Sequence, residues 1–86
     1  MKVRIPTPLR SYTGNVSVVE AHGAAVSEVL ADLDRQFPGL RFRMVDEQGQ
    51  MRQHMKIWVN AELTRDLATL VDDRDELTIM QALSGG

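Results

Sequence analysis

Val26-Ser27-Glu28-Val29-Leu30-Ala31-Asp32-Leu33-Asp34-Arg35-Gln36-Phe37-Pro38-Gly39 is the stretch on which the fold turns. Val26, Val29, Leu30, Leu33 and Phe37 recur at the spacing of one α-helical face, while Glu28, Asp32 and Arg35 take the polar side. Pro38 cannot continue the hydrogen-bond ladder, and Gly39 adopts a left-handed closing conformation at little cost, so the helix ends there. Its start is poorly capped. Ala24 and Ala25 stand where Ser, Thr or Asp would satisfy the first free N–H groups. A helix with a single apolar stripe needs one surface to cover it, and the flanking sequence supplies strands.

Upstream, residues 2–9 alternate, with Val3, Ile5 and Leu9 on one side and Lys2 and Arg4 opposed, as in a half-buried strand. Pro6 and Pro8 lack an amide donor and belong at its frayed end or on an edge. Thr13-Gly14-Asn15 supplies a turn and Val16–Glu20 resumes the β-branched pattern, which predicts a hairpin. Downstream, Leu40, Phe42, Met44 and Val45 form a short apolar excursion before the turn Asp46-Glu47-Gln48-Gly49. Met55, Ile57 and Val59 alternate with Lys56, Trp58 and Asn60 in a third strand. Leu63, Leu67 and Leu70 have the irregular spacing of a loop pinned to a core. In the last strand, Glu76–Ala82, Leu77 and Ile79 share one face and Thr78, Met80 and Ala82 the other.

Hairpin, helix, irregular crossover, strand, loop and final strand make an α+β fold, a mixed sheet with one main helix packed on one face. That is the ubiquitin-like β-grasp arrangement, in which the first and last strands lie side by side at the sheet centre. Residues 1–86 are expected to form one domain, with 82–86 as an extended, flexible tail. The tail closes on Ser84-Gly85-Gly86. Without Cβ atoms, Gly85 and Gly86 can lie extended in a channel too narrow for other residues.

A chain of 86 residues buries too little for a sizeable substrate pocket, so function belongs on a surface or at a terminus. With no cysteine, a disulfide framework, a zinc–thiolate site and a thiol nucleophile are all excluded. His22 and His54 stand far apart in the chain and outside any ligand motif, so no metal site is expected. Neither a nucleophile elbow nor a phosphate-binding glycine loop is present, so the chain does not read as an enzyme by itself. The basic residues show neither a dense run nor interleaved aromatics, which disfavours nucleic acid. Met1-Lys2-Val3-Arg4 lacks a signal-like apolar core and no long apolar run exists, so a cytoplasmic protein off the membrane is expected.

The net charge of −2 hides an asymmetry: residues 62–86 hold Arg65 and Arg74 against Glu62, Asp66, Asp72, Asp73, Asp75 and Glu76. Either these acids form a solvated loop, or they steer the tail towards a basic partner. The pairs Asp72-Asp73 and Asp75-Glu76 fit a polar turn before a strand better than acid–base catalysis. With Ile57, Val59, Leu77 and Ile79 facing the helix, Trp58 and Met80 fall on the opposite face, rimmed by Arg4 and Lys56. That face is either a docking patch or is covered by residues 40–54 folding over it.

The opening Val3-Arg4-Ile5-Pro6-Thr7-Pro8-Leu9-Arg10 with Thr13-Gly14 carries a family resemblance. So do Ile57-Trp58-Val59-Asn60 and the close Asp75-Glu76-Leu77-Thr78-Ile79 leading into Leu83-Ser84-Gly85-Gly86. Together they resemble the ThiS/MoaD-type sulfur carrier proteins, and within them the CysO-like carriers of cysteine or homocysteine biosynthesis. The similarity spans almost the whole chain, and its most specific element is the Gly-Gly end with the strand before it. This chain departs from many relatives at Asn60-Ala61, where they carry Asn-Gly, and at Arg74-Asp75, where they carry Gly-Asp. It also lacks a proline near Gln81 and has Ala25 for a helix-capping Thr.

The resemblance implies that an E1-like, ATP-using adenylyltransferase activates the Gly86 carboxylate and that sulfur delivery converts it to a thiocarboxylate. A pyridoxal-phosphate-dependent synthase would accept the sulfur, and a JAMM-type zinc metallopeptidase would release the product. The carrier itself would bind no cofactor. Because the sequence stops at Gly86, no maturation cleavage is expected. Trp58, Met80, Leu83 and Arg4 are the expected partner contacts, and Gly85 and Ser84 form the tail. Three other readings stay open: a small subunit of molybdopterin synthase, a ubiquitin-like modifier, or a non-reactive β-grasp interaction module.

Overall fold

The computed structural model describes residues 1–82. Strand β1 (Lys2–Arg4) pairs antiparallel with β2 (Val18–Glu20), with Val3 opposite Val19, so the predicted hairpin forms. Its first strand is shorter than the alternation suggested. Pro6 has a φ of −69° and opens a 3-10 segment, Thr7–Thr13, that carries Leu9 into the core on a helical turn. Proline at the head of a helical turn costs nothing, because its missing N–H had no partner there.

Helix α1 (Val26–Gln36) buries Val26, Val29, Leu30 and Leu33, and Phe37 packs half-buried beyond its end. The poor side-chain cap is real, and the fold replaces it. The N–H groups of Val26 and Ser27 donate to the carbonyls of Thr69 and Leu67, each at 2.9 Å, and Glu28 accepts the Ala24 N–H at 3.0 Å. Backbone oxygens from a distant loop thus do the work of a capping side chain. Gly23 permits the entry into the helix: a Cβ there would stand 2.7 Å from the Val29 nitrogen, closer than real atoms approach.

Asp32 departs from its predicted solvated place. It is buried, and its carboxylate accepts the His22 N–H at 3.0 Å, the Gln36 side chain at 3.2 Å and the Arg35 guanidinium. The His22 N–H does most to hold this carboxyl below its usual range; burial works against it, and Arg35 and Gln36 assist.

Gly39, at φ 95°, ends the helical run and starts the short helix α2 (Leu40–Met44). Leu40, Met44, Val45 and Met51 enter the same core as α1. Residues 40–54 therefore pack on the helix side of the sheet and leave the other face uncovered by them.

Strand β3 (Met55–Val59) pairs antiparallel with β4 (Glu62–Thr64), and with β5 (Glu76–Gln81). Strands β1 and β5 run parallel, with Val3 opposite Leu77, and the sheet order is β2-β1-β5-β3-β4. The ends of the described chain meet at the sheet centre, as the β-grasp reading required. Val3, Ile57, Leu77 and Ile79 face α1 and are buried.

The 63–70 region differs from its reading as a pinned loop. Leu63 is in β4 and is 48% exposed, Leu70 is 79% exposed, and Leu67 alone of the three packs against the core. The β3–β4 turn explains why a strand hid there. Asn60 takes the left-handed conformation (φ 54°) and Ala61 does not, so the second turn position does not need glycine.

Candidate functional site

Period-2 alternation and the strand registers put one row of side chains across the sheet face opposite α1. Val18, Arg4, Thr78, Trp58 and Leu63 lie side by side, one from each strand. The next row begins with Met80 opposite Lys56. Met80 is 41% exposed, Trp58 is half-buried, and the Arg4 guanidinium is bonded to the Glu76 carboxylate at the rim.

Three predicted contact residues, Arg4, Trp58 and Met80, therefore share one open surface. The fourth, Leu83, lies outside the described residues, as do Ser84, Gly85 and Gly86. Leu63 joins this surface without having been singled out. Its signal was present in Asn60-Ala61-Glu62-Leu63-Thr64, a two-residue turn followed by an alternating stretch directly after a strand.

The chain reaches this surface's edge at a defined point. Gln81 pairs with Met55, and the Ala82 N–H donates to the His54 carbonyl at 2.8 Å. Residues 51–55 beside that point are held by Arg65, whose guanidinium donates to the carbonyls of Met51 and Gln53, each at 3.2 Å, and to that of Met55. Sequence reading gave Arg65 no role, because nothing local shows which carbonyls a long side chain will reach.

At the far end of β5, the turn before the strand is tied by its own acids. Asp75 accepts the Asn60 side-chain amide at 2.8 Å and the Asp72 N–H at 2.9 Å, and these bonds hold its carboxyl below the usual range. Asn60 closes the ring by accepting the Glu76 N–H at 3.0 Å. Asp72 and Asp75 thus build a turn before the strand, as expected. The His22 side chain is exposed, with Nδ1 3.7 Å from Asp73, and His54 is exposed near Ala82. Among the described residues, no three acidic or histidine side chains converge as a metal site would need. No helix of the described residues is long and apolar enough to cross a membrane.

A half-buried tryptophan thus stands among exposed Leu63 and Met80, beside the strand that precedes Ala82. The ThiS family model matches residues 3–86. The chain belongs to the ThiS family. Sulfur carrier protein CysO of Mycobacterium tuberculosis is 37% identical to it over 89 residues, which cover 98% of this chain and 96% of that protein. The CysO-type chain in the crystal structure of the Amycolatopsis orientalis BexX/CysO complex superimposes with a TM-score of 0.91 at 39% identity, covering 99% of this chain and 98% of that one. Small archaeal modifier protein 1 of Methanosarcina acetivorans, solved in solution, superimposes at 0.81 with 29% identity, covering 99% and 94%. The likeness to the CysO structure is that of the whole ubiquitin-like β-grasp domain, not of a shared fragment.

Proposed function

We propose that this ThiS-family chain is a sulfur carrier whose reactive group is the Gly86 carboxylate. The observation that carries the reading is its likeness, over nearly the full length of both chains, to a protein named as a sulfur carrier. The described structure supports it: β5, the central strand, runs to Gln81 beside an open surface that carries Trp58, Leu63 and Met80.

In the proposed sequence, an E1-like adenylyltransferase joins the carboxylate to AMP and releases pyrophosphate. A sulfur nucleophile then attacks the acyl carbon, AMP leaves, and a thiocarboxylate remains. A pyridoxal-phosphate-dependent synthase accepts this sulfur and leaves the carrier's acyl group bonded to the new amino acid, cysteine or homocysteine; a JAMM-type metallopeptidase then hydrolyses that bond with water, which frees the product and restores the Gly86 carboxylate. Catalysis belongs to those partners, which meet the carrier in the cytoplasm, and ATP is used by the activating one. A thiocarboxylate keeps sulfur bound yet nucleophilic. The absence of cysteine leaves no internal thiol to attack the activated terminus.

The experiment is the intact mass of the chain after incubation with ATP, a sulfide source and the E1-like enzyme of the same genome. A gain equal to sulfur replacing oxygen, lost when Gly86 is deleted, is expected. No gain with any such enzyme overturns the reading. The likeness to a small archaeal modifier protein favours a second reading, isopeptide conjugation to lysines. Higher-mass conjugates that depend on Gly86 in cell extract would establish it.

A further inference from the structure

Acids outnumber cations at the start of β5, and cations outnumber acids at its finish. At its start stand Glu76, the Asp72–Asp75 turn and Glu62, which is paired with Val59. Of the basic residues there, Lys2 is paired with Glu76 across the sheet, Arg4 is bonded to Glu76, and Arg74 lies 3.9 Å from Asp72. At its finish, beside Ala82, stand Arg52, Lys56 and Arg65. None of the ion pairs among the described residues involves Arg52, Lys56 or Arg65.

Arg52 and Arg65 are held in place by uncharged groups. Arg52 donates through Nε to the Phe42 carbonyl at 2.8 Å and lies 4.7 Å over the Phe42 ring, which is 54% exposed. Arg65 is fixed on backbone carbonyls alone. The carboxylates of Asp46 and Asp66, the nearest in the chain to Arg52 and Arg65 besides the exposed Glu47, bind N–H groups of their own turns. The strand rise puts the two ends of β5 about 17 Å apart. That exceeds the screening length of about 8 Å at physiological salt, so a partner at one end does not feel the other.

We propose that this cationic end of the sheet is a docking collar for an acidic protein surface around the entrance of the activating enzyme's site. The proposal rests on the carrier reading and adds the chemistry of the partner's rim. It sets aside one of the two readings of the raw charge count, in which the acids of 62–86 steer the tail towards a basic partner. Of the acids in the last 25 residues, Glu62, Asp72, Asp73, Asp75 and Glu76 sit at the start of β5, and Asp66 alone lies beside Arg65 near its finish. The collar adjoins the apolar face through Lys56, which is paired with Met80, so one partner can cover both. Cations already fixed on carbonyls and a ring lose little side-chain freedom on docking.

The test compares ATP-dependent mass gain by the full chain, at limiting enzyme, for Arg52→Glu/Lys56→Glu and for Glu62→Lys/Asp73→Lys. Arg52→Gln/Lys56→Gln retains an amide donor for the Phe42 carbonyl and guards against misfolding. At about 0.1 M salt the collar variant is expected to slow at least ten-fold and the far-end variant less than two-fold, and at about 1 M the difference should vanish. In parallel, amide shifts of the labelled chain are followed on adding an oligoglutamate peptide, and should be confined to 52–56 and Ala82. Wild-type rates in the collar variants, or equal slowing by both pairs, overturn the collar and leave the carrier reading intact. If the wild-type chain gains no mass, the carrier reading falls. The oligoglutamate shifts then decide the collar alone, and absent or scattered shifts overturn it.

Discussion

Two residues show how much meaning a position acquires from its neighbours. Asp32 reads as one more charge on the outer face of a helix, yet it accepts bonds from His22, Arg35 and Gln36 and ties the β2–α1 connection to α1. Asp32→Ala is expected to cost about 1–2 kcal/mol at neutral pH, the worth of hydrogen bonds to a charged acceptor. Folding lowers the pKa of this carboxyl from its usual 3.8, so the stabilisation is complete above that value and is lost as pH falls through the lower folded one. Urea melts should therefore show the gap between variant and parent narrowing below about pH 4; a pH-independent gap would contradict this. Trp58, by contrast, is placed well by alternation alone. Trp58→Asp is expected to cost no more than about 1 kcal/mol in a thermal melt. It should slow activation of Gly86 by roughly ten-fold or more. Unchanged activation kinetics would remove Trp58 from the partner surface.

Among elements, α1 was the most legible, because four buried positions repeat one spacing and Pro38-Gly39 closes it. Val29→Asp buries an unpaired charge on that stripe and should cost more than about 3 kcal/mol. Against a total stability of roughly 4–13 kcal/mol for a chain this short, it should leave little native protein. A native-like melt by circular dichroism would overturn the assignment of the buried face. Strand β4 and the 3-10 segment were not legible in the same way. A three-residue strand is too short to show a period, and Pro6 and Pro8 read equally well as an edge or as the head of a helical turn. The cap of α1 could not be read at all, since its acceptors, the carbonyls of Leu67 and Thr69, lie some forty residues on and carry no side-chain signature.

For the whole molecule, the pairing of β1 with β5 joins one end of the chain to the other and leaves neither half a core of its own. Leu77, buried in the central strand opposite Val3 and Val59, contacts both sides of that seam. Leu77→Ala is expected to cost about 2–4 kcal/mol. The loss should appear as one transition, with Trp58 fluorescence and far-ultraviolet circular dichroism coinciding across the denaturant range. A separate, earlier fluorescence transition would show that β3 and β4 unfold on their own.

By itself, the sequence determined the helix, the alternating strands, the two faces of the sheet and the Gly-Gly end, because each is written in local periodicity or in residue chemistry. The tertiary structure alone decided that residues 40–54 leave the Trp58 face open, that Arg65 holds the 51–55 backbone, and that Arg52, Lys56 and Arg65 gather at the finish of β5 while most of the acids of 62–82 gather at its start. Those outcomes depend on which distant groups meet when the strands align, and periodicity along a chain carries no record of contacts across it.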